Sequence, residues 1–203
     1  MKPGPCIGAV MLAAGASRRL GQPKQLLPFR GRPLLQHAME QAEGLPLAAR
    51  VLVLGAHAAD IQARIEPGPW AVAVNPGWEA GMGSSLRCGL AECLRRQPEL
   101  EHLLLLLSDQ PFVDQGFLNE LIHQHLHKQH PITASEYAGV SGVPVIFSRA
   151  YFPELMALGG DQGARRLLSL HADAVRSLPF EGGSFDIDTP EDAARLGDIR
   201  LPS

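Results

Sequence analysis

Apolar runs alternate along this chain with segments in which apolar residues recur at every third or fourth position. Each run is short and is bounded by polar or turn-forming residues, which is typical of strands that are buried on both faces. Four such strands are predicted over 7–12, 50–54, 70–75 and 102–108. Four helices are predicted between and after them, over 33–43, 57–65, 83–96 and 114–129.

The alternation continues in the second half of the chain. Thr189, followed by Pro190 and by Asp192, is typical of a helix start. Strands and helices in alternation indicate an α/β fold, in which a mostly parallel sheet has helices on both faces. No linker-like segment divides the chain, so we expect a single domain over 1–203. The further strands are predicted over 144–148 and 185–189, and the further helices over 149–157, 162–171 and 190–197.

Composition excludes several classes of function. The chain has 203 residues, of which 45% are apolar, enough for one compact core. A formal net charge of −3 and an aromatic content of only 5% argue against nucleic acid and membranes as partners. The apolar run over 103–107 is too short to span a bilayer. Cys6, Cys88 and Cys93 contain no C-x-x-C pair, so we expect free thiols and a cytoplasmic location.

The loop after the first strand carries the clearest chemical pattern, LAAGASRRLGQPK at Leu12–Lys24. Small residues at 13–15 allow backbone N–H groups to approach a ligand closely. Arg19 and Lys24 add two positive charges that can bind phosphate oxygens. The loop therefore suits a polyphosphate, and the alternative is an ordinary surface loop with solvated cations.

Spacing excludes the two most familiar phosphate-binding loops. A Walker A loop has four residues between its glycines and a hydroxyl residue after its lysine. Here five residues separate Gly15 from Gly21, and Gln25 follows Lys24. A dinucleotide-binding fingerprint needs a second glycine two residues after the first, where this chain has Ser17.

Acidic residues follow two other predicted strands. Asp109, in SDQP, comes directly after the strand over 102–108, and open α/β sheets bind ligands outside the carboxyl ends of their strands. Asp186 and Asp188 would share one face of a strand. Asp109 with Asp188 or Asp186 could hold Mg²⁺ on nucleotide phosphates. The alternatives are a capped turn at Asp109 and acids that favour the start of the last helix.

A turn-rich segment, NPGWEAGMGSSL at 75–86, leads from a predicted strand into a predicted helix. Its glycines and serines, Ser85 among them, could contact a nucleotide base. The alternative is a flexible connection that ends in a serine helix cap.

Three histidines, His123, His127 and His130, share one face of another predicted helix. Histidines four residues apart can bind zinc. No acidic ligand accompanies them, so we expect adventitious metal binding rather than a physiological site.

Six of these segments together resemble a known family. They are LAAGASRRLGQPKQLLP, GRPLL, NPGWEAGMGSSL, SDQP, GGDQGAR and DIDTPED, and they cover nearly the whole chain. The chain resembles the molybdenum cofactor cytidylyltransferase-like family of MobA-like NTP transferases. The resemblance implies a three-layer, Rossmann-like nucleotide-diphospho-sugar transferase fold. It also implies transfer of a nucleoside monophosphate from an NTP to the terminal phosphate of molybdopterin, with release of pyrophosphate.

The resemblance assigns roles to individual residues. Arg19, Lys24 and Asp109 would be the catalytic residues, because the two cations hold the triphosphate and the carboxylate binds Mg²⁺. Asp188 would be the second metal ligand, and Gly159–Arg165 would face the acceptor. The residues implied to contact the nucleotide are Leu12, Ala13, Ala14, Gly15, Arg19, Lys24 and Ser85.

The first motif also bears on the choice of nucleotide. Guanylyl-transferring relatives usually carry Leu-Ala-Gly-Gly, whereas Leu12–Gly15 reads Leu-Ala-Ala-Gly, so CTP is expected rather than GTP or ATP. The acceptor is less defined, because Val143 stands where many relatives have His. One alternative is an NTP transferase that acts on a sugar or polyol phosphate. Another is a non-catalytic chaperone that carries the cofactor to a client molybdoenzyme.

Overall fold

A computed structural model describes residues 5–185, 187 and 189–196. Its strands are β1 (Ile7–Ala13), β2 (Pro28–Phe29), β3 (Arg32–Pro33), β4 (Ala49–Leu54), β5 (Ala71–Val74), β6 (His102–Leu107), β7 (Ile132–Tyr137), β8 (Val140–Ser148) and β9 (Val175–Pro179). Its α-helices are α1 (Leu34–Gln41), α2 (Ala58–Gln62), α3 (Met82–Arg96), α4 (Gln115–Lys128), α5 (Phe152–Ala157), α6 (Ala164–Leu170) and α7 (Pro190–Arg195). None of the helices in this part of the chain combines the length and the apolar character needed to cross a bilayer.

Seven strands form one sheet, in the order β5-β4-β1-β6-β8-β7-β9. Neighbouring strands run parallel except at β8, which is antiparallel to both β6 and β7. β1 lies between β4 and β6, with Val10 opposite Val51 on one side and Leu105 on the other. The prediction of a mostly parallel sheet is confirmed, and the carboxyl ends of β1, β4 and β6 meet at one edge.

Helices cover both faces of the sheet. Successive side chains of β1 alternate between the faces, so Met11 packs in a cluster with Leu35 of α1, whereas Val10 packs with Leu90 of α3. Helix α3 lies very close to the sheet, because a Cβ at Gly89 would come within 2.5 Å of Val10 Cγ1. This packing fixes β1 on both sides, so the loop that follows it begins from a rigid position.

β7, β9 and the small ribbon formed by β2 and β3 were not predicted from the sequence. β7 has an unusually polar sequence, ITASEY, yet Thr133 and Ser135 are fully buried. Their hydroxyls are paired, Thr133 Oγ1 with His125 Nδ1 at 3.0 Å and Ser135 Oγ with the Pro144 carbonyl at 2.8 Å. Because these polar groups satisfy one another inside the core, the strand lacks the apolar run on which the prediction relied.

The strand predicted over 185–189 is wrong for the part of this segment that the structure describes. Phe185, Ile187 and Thr189 lie outside any strand. Ile187 is fully buried in a small apolar cluster with Leu20 and Leu27, below the loop that follows β1. The alternation of apolar and acidic residues therefore reflects the burial of single side chains rather than strand pairing.

The predicted start of the last helix is confirmed. The Thr189 hydroxyl accepts a hydrogen bond from the Asp192 N–H, and the Asp192 carboxylate accepts one from the Thr189 N–H. This reciprocal pair is the capping box expected from the sequence, and it begins α7.

Candidate active site

A cleft of about 510 Å³ lies at the edge of the sheet where β1 and β6 end. Its wall is formed by the loop after β1, the end of β6, the segment that leads into α3, and Asp161. Six of the seven residues predicted to contact the nucleotide line it: Leu12, Ala13, Ala14, Gly15, Lys24 and Ser85. Residues from four separate segments of the sequence thus meet in one cavity.

The loop after β1 is held by hydrogen bonds to its own carbonyl groups. The amide nitrogen of Gln25 donates to the carbonyls of Ala13 and Gly15, at 2.9 and 3.2 Å. The N–H of Ala56 donates to the intervening carbonyl of Ala14, at 3.0 Å. Among the described residues, none accepts a hydrogen bond from the N–H groups at positions 14, 15 and 16. These three donors border the cleft and are available to an acceptor atom within it.

Lys24 and Asp109 form an ion pair beside the cleft. Lys24 Nζ lies 2.5 Å from Asp109 Oδ2, although the two residues are 85 positions apart in the sequence. Their side chains are 19% and 14% exposed, so water screens the pair only partly. The pair joins the loop after β1 to the turn after β6, and it concentrates both signs of charge where a phosphate and a metal ion could bind.

The two adjacent arginines of the loop occupy different positions. Both are exposed, but Arg18 lines the cleft, whereas Arg19, the residue predicted to hold the triphosphate, does not. The chain turns sharply here, because Ser17 has a φ of +50° and its carbonyl accepts hydrogen bonds from Leu20 and Gly21. The pattern RR did not distinguish the two, and the structure directs attention to Arg18 as a further cation of the cleft.

Ser85 is positioned by a buried amide. Asn75 Nδ2 donates to Ser84 Oγ at 2.9 Å and to Ser85 Oγ at 3.0 Å, and Asn75 Oδ1 accepts from the Gly77 N–H at 3.0 Å. Ser84 also bonds to the carbonyls of Gly77 and Gly81, so its hydroxyl serves the loop itself. Ser85 lines the cleft, which leaves its hydroxyl able to donate to a ligand.

The GGDQGAR segment, predicted to face the acceptor, adjoins the start of α3. The Gly83 N–H donates to the Gly160 carbonyl at 3.2 Å, and Asp161 lines the cleft. Gly81 has a φ of +96°, and a Cβ there would collide with the Gly160 carbonyl. A glycine at 81 thus allows the two segments to touch and to share one side of the cavity.

The predicted metal ligands are placed only in part. Asp109 is at the edge of the cleft, as its ion pair with Lys24 shows. Asp186 and Asp188 lie outside the described residues, so their role as metal ligands stays a prediction. Within those residues no group of three or more His, Cys, Asp or Glu side chains is arranged to hold a metal ion.

The histidines near the end of α4 lie in a second cleft, at the opposite end of the sheet. The rings of His123 and His127 stack with their centroids 5.4 Å apart. His125, by contrast, is buried and is bonded through its two ring nitrogens to Thr133 and His102. Burial, and then the neighbouring His102 and His130, lowers the pKa of His125 to about 3. The histidine segment therefore contributes to the core as well as to the surface.

Three buried side-chain amides hold segments of the site in place, a role that was not predicted from the sequence. Gln25 holds the loop after β1, Asn75 holds the two serines, and Gln110 donates to the Val143 carbonyl at 2.8 Å. Each is less than 10% exposed, whereas glutamine and asparagine are mostly surface residues. Gln25 and Gln110 directly follow Lys24 and Asp109, two predicted site residues, and Asn75 begins the turn-rich segment over 75–86, but no pattern in the sequence indicated that these amides would be buried.

Comparison with protein families gives one match over most of the chain. The model described as MobA-like NTP transferase domain matches residues 9–175. Nicotine blue oxidoreductase from Paenarthrobacter nicotinovorans is 34% identical, over 95% of this chain and 97% of that protein. The purine catabolism protein PucB from Bacillus subtilis is 32% identical, over 93% and 94%. A molybdenum cofactor guanylyltransferase from Rhodobacter capsulatus is 28% identical, over 95% of each.

Solved structures with the same fold include close sequence relatives. The crystal structure of Rv0371c from Mycobacterium tuberculosis superposes with a TM-score of 0.83 at 35% identity, over 97% of this chain and 100% of that chain. A structure of Rv0371c in complex with manganese superposes with a TM-score of 0.79 at 32% identity, over 96% and 100%. The three-layer nucleotidyltransferase fold implied by the sequence is thus confirmed.

Proposed function

Because this chain belongs to the family of MobA-like NTP transferase domains, we propose that it transfers CMP from CTP to the terminal phosphate of a molybdopterin-type acceptor. Pyrophosphate is the second product. The observation that carries the proposal is the meeting of the loop after β1, the Lys24–Asp109 pair and Ser85 in one cleft. These groups supply the donors, the positive charge and the carboxylate that nucleotidyl transfer requires.

The nucleotide is proposed to lie along the loop after β1. Backbone N–H groups at 14–16 bind its acceptor oxygens, and Ser85 lies beside the base. Lys24 acts as a point charge on the phosphates, exchanging its bond to Asp109 for one to a phosphate oxygen. Arg18 supplies a second cation from within the cleft, and Arg19 stays a predicted contact from its edge.

Asp109 fits a divalent cation that is held mainly by the nucleotide. Mg²⁺ at such sites takes one or two carboxylates together with phosphate oxygens and water. Asp109 supplies one carboxylate beside the cleft, and Asp188 is the predicted second. The manganese complex of a relative supports a divalent cation in this fold. When bound, the cation would neutralise negative charge on the phosphates of the nucleotide.

The proposed chemistry needs no general base. An oxygen of the acceptor's phosphate monoester forms a bond to the α-phosphorus of CTP, and the bond from that phosphorus to the bridging oxygen of pyrophosphate breaks. The second pKa of a phosphate monoester is about 6, so the attacking oxygen is already ionised near pH 7. The protein's own contribution is to hold both substrates in line and to stabilise the charge that develops on the departing pyrophosphate.

The preference for CTP rests on Ala14. Ala14 lines the cleft, at a position where guanylyl-transferring relatives usually have glycine. A methyl group at this position reduces the space that is available beside the base, which favours a pyrimidine over the larger guanine. The guanylyltransferase from Rhodobacter capsulatus supports a molybdenum cofactor as acceptor but not this choice of base.

Pyrophosphate release tests the proposal. The purified protein is incubated with Mg²⁺, a molybdopterin source and CTP, GTP or ATP in turn. Release that depends on the acceptor and is fastest with CTP would support it. Pyrophosphate release only with a sugar or polyol phosphate would show that this compound, and not molybdopterin, is the acceptor. Nucleotide binding without any release would favour a chaperone that carries the cofactor to a client molybdoenzyme.

A further inference from the structure

Gln25 is an almost fully buried polar residue next to the proposed nucleotide. Its side chain is 1% exposed, and it sits in the short 3-10 turn Lys24–Leu26 directly after the loop. Its amide nitrogen donates to two carbonyls, those of Ala13 and Gly15. Because both partners can only accept, the nitrogen must face the loop, and the orientation of the amide is fixed.

The hydrogen bonds of Gln25 help to set the orientation of three consecutive peptide groups, those that join residues 13 to 16. Each of the three carbonyls accepts a hydrogen bond from outside the loop segment 13–16. Gln25 donates to those of Ala13 and Gly15, and the Ala56 N–H donates to that of Ala14. In a trans peptide the N–H points opposite to the carbonyl of the same plane. The N–H groups at 14, 15 and 16 are thereby directed away from these supports, and no described residue accepts from them.

The amide oxygen of Gln25 is the unpaired end of this side chain. Gln25 Oε1 is buried and has no hydrogen-bond partner among the described residues. Burying an unpaired oxygen destabilises the folded state. A methionine of similar length would avoid that cost, but it could not hold the two carbonyls.

We propose that Gln25 is a positioning residue for nucleotide binding, which orients the peptide groups at 13–16 so that their N–H groups meet acceptor oxygens of a nucleoside triphosphate. The inference rests on the proposed function. Gln25 lines the cleft, and the role proposed for it acts through the backbone of the loop after β1. The donors are backbone groups that bind oxygen atoms. The contribution of Gln25 is therefore the same for CTP, GTP and ATP, unlike that of Ala14.

The test compares Gln25→Met with a control at the other end of the sheet. Thr133→Val also removes a buried polar contact, the hydrogen bond to His125, but far from the cleft. Binding of CTP, GTP and ATP with Mg²⁺ is measured by calorimetry, and thermal unfolding is measured for each variant. Gln25→Met should raise Kd by about tenfold or more for every nucleotide that the wild type binds. Thr133→Val should leave Kd within about twofold of the wild-type value, even if it lowers Tm as much as Gln25→Met does.

Gln25→Glu sharpens the test. An ionised glutamate has the same length but accepts hydrogen bonds only, so it repels the carbonyls of Ala13 and Gly15. It should weaken binding at least as much as methionine does. Wild-type affinities for all nucleotides in a folded Gln25→Met protein would overturn the positioning role and leave the proposed function intact.

A measurement without nucleotide separates the two proposals. ¹⁵N relaxation of the ligand-free protein should give lower order parameters at 14–16 in Gln25→Met than in the wild type. Unchanged order parameters would overturn the claim that Gln25 holds the loop. If the wild type binds none of the three nucleotides, the proposed function fails, and the nucleotide-positioning role fails with it whatever the relaxation data show.

Discussion

Two clefts lie at opposite ends of the same sheet, and they differ in what their polar groups do. The cleft at the carboxyl ends of β1 and β6 has a volume of about 510 Å³. The cleft at the amino end of β6 and the end of α4 is larger, about 790 Å³, and its lining includes His102, His123, His125, His127 and His130. By size and by histidine content, the second would be the more obvious candidate for a functional site.

The difference lies in whether the buried ring nitrogens of one cleft and the backbone N–H groups of the other already have partners. In the histidine cleft, the ring nitrogens of His125 are bonded to Thr133 and His102, both at 3.0 Å. In the cleft at the carboxyl ends of β1 and β6, three N–H groups have no acceptor among the described residues, and a lysine and a carboxylate lie in contact at its edge. A site for a charged ligand is indicated by donors and charges that a ligand can engage, rather than by volume.

The largest effect is expected from the charge pair. Asp109→Asn removes the carboxylate and should lower kcat/KM for pyrophosphate release by about 10²–10³-fold, and Lys24→Met should do likewise. Glu92→Gln is the matched control, since Glu92 also pairs with cations, Arg95 and Arg96, but on the surface of α3. Near-normal turnover in a folded Asp109→Asn protein would contradict the placement of the catalytic site in the cleft at the carboxyl ends of β1 and β6.

A smaller effect is expected at Ala14. Ala14→Gly removes the methyl group beside the base and should shift the ratio of kcat/KM for CTP over GTP by about tenfold towards GTP. Ala16→Gly makes the same substitution in the same loop, and should change both nucleotides equally. An unchanged ratio in Ala14→Gly would show that another residue selects the base.

The histidine cleft should respond to pH through stability. His125 has a pKa of about 3 in the folded protein, against about 6.5 in an unfolded chain. Below pH 6.5 the unfolded state therefore binds more protons, and the free energy of unfolding should fall by up to roughly 1.4 kcal/mol per pH unit towards pH 4. His125→Gln cannot titrate, so denaturant titrations should show a shallower fall. Equal slopes in the two proteins would contradict this assignment.

The smallest effect should come from the surface of that cleft. His123→Gln combined with His127→Gln removes the stacked pair of rings but no group of the cleft at the carboxyl ends of β1 and β6. Transfer activity at saturating Mg²⁺ should be unchanged, and only weak binding of added Zn²⁺ should be lost. A large loss of activity would mean that the two ends of the sheet are coupled.

The parts of the candidate site that depend on strand ends and charged residues could be predicted from the sequence. The parts that depend on buried polar side chains could not. The strands β1 and β6 are continuous apolar runs, and their carboxyl ends placed the loop after β1 and Asp109 at one edge. The polar strand β7 was missed, because the hydroxyls of Thr133 and Ser135 are satisfied by His125 and Pro144, which lie outside the strand. Pairing with another element of the fold leaves no apolar period within the strand to detect.

The same contrast applies to single residues of the candidate site. Gln25 and Asn75 act through hydrogen bonds that exist only once the loops are folded, so neither could be identified from spacing. The choice between Arg18 and Arg19 depends on the turn at Ser17, whose positive φ the sequence did not reveal. Lys24 and Asp109, by contrast, stood in recognisable motifs, and the structure brings them into contact.

Transfer of label from CTP tests the central claim most directly. CTP that carries the label in its α-phosphate is incubated with the protein, Mg²⁺ and a molybdopterin source, and the products are separated. We predict that the label appears in a new species containing the acceptor, at a rate that falls by orders of magnitude in Asp109→Asn. Label that remains in CTP, in a wild-type protein shown to bind both substrates, would contradict the assignment of this cleft to nucleotidyl transfer.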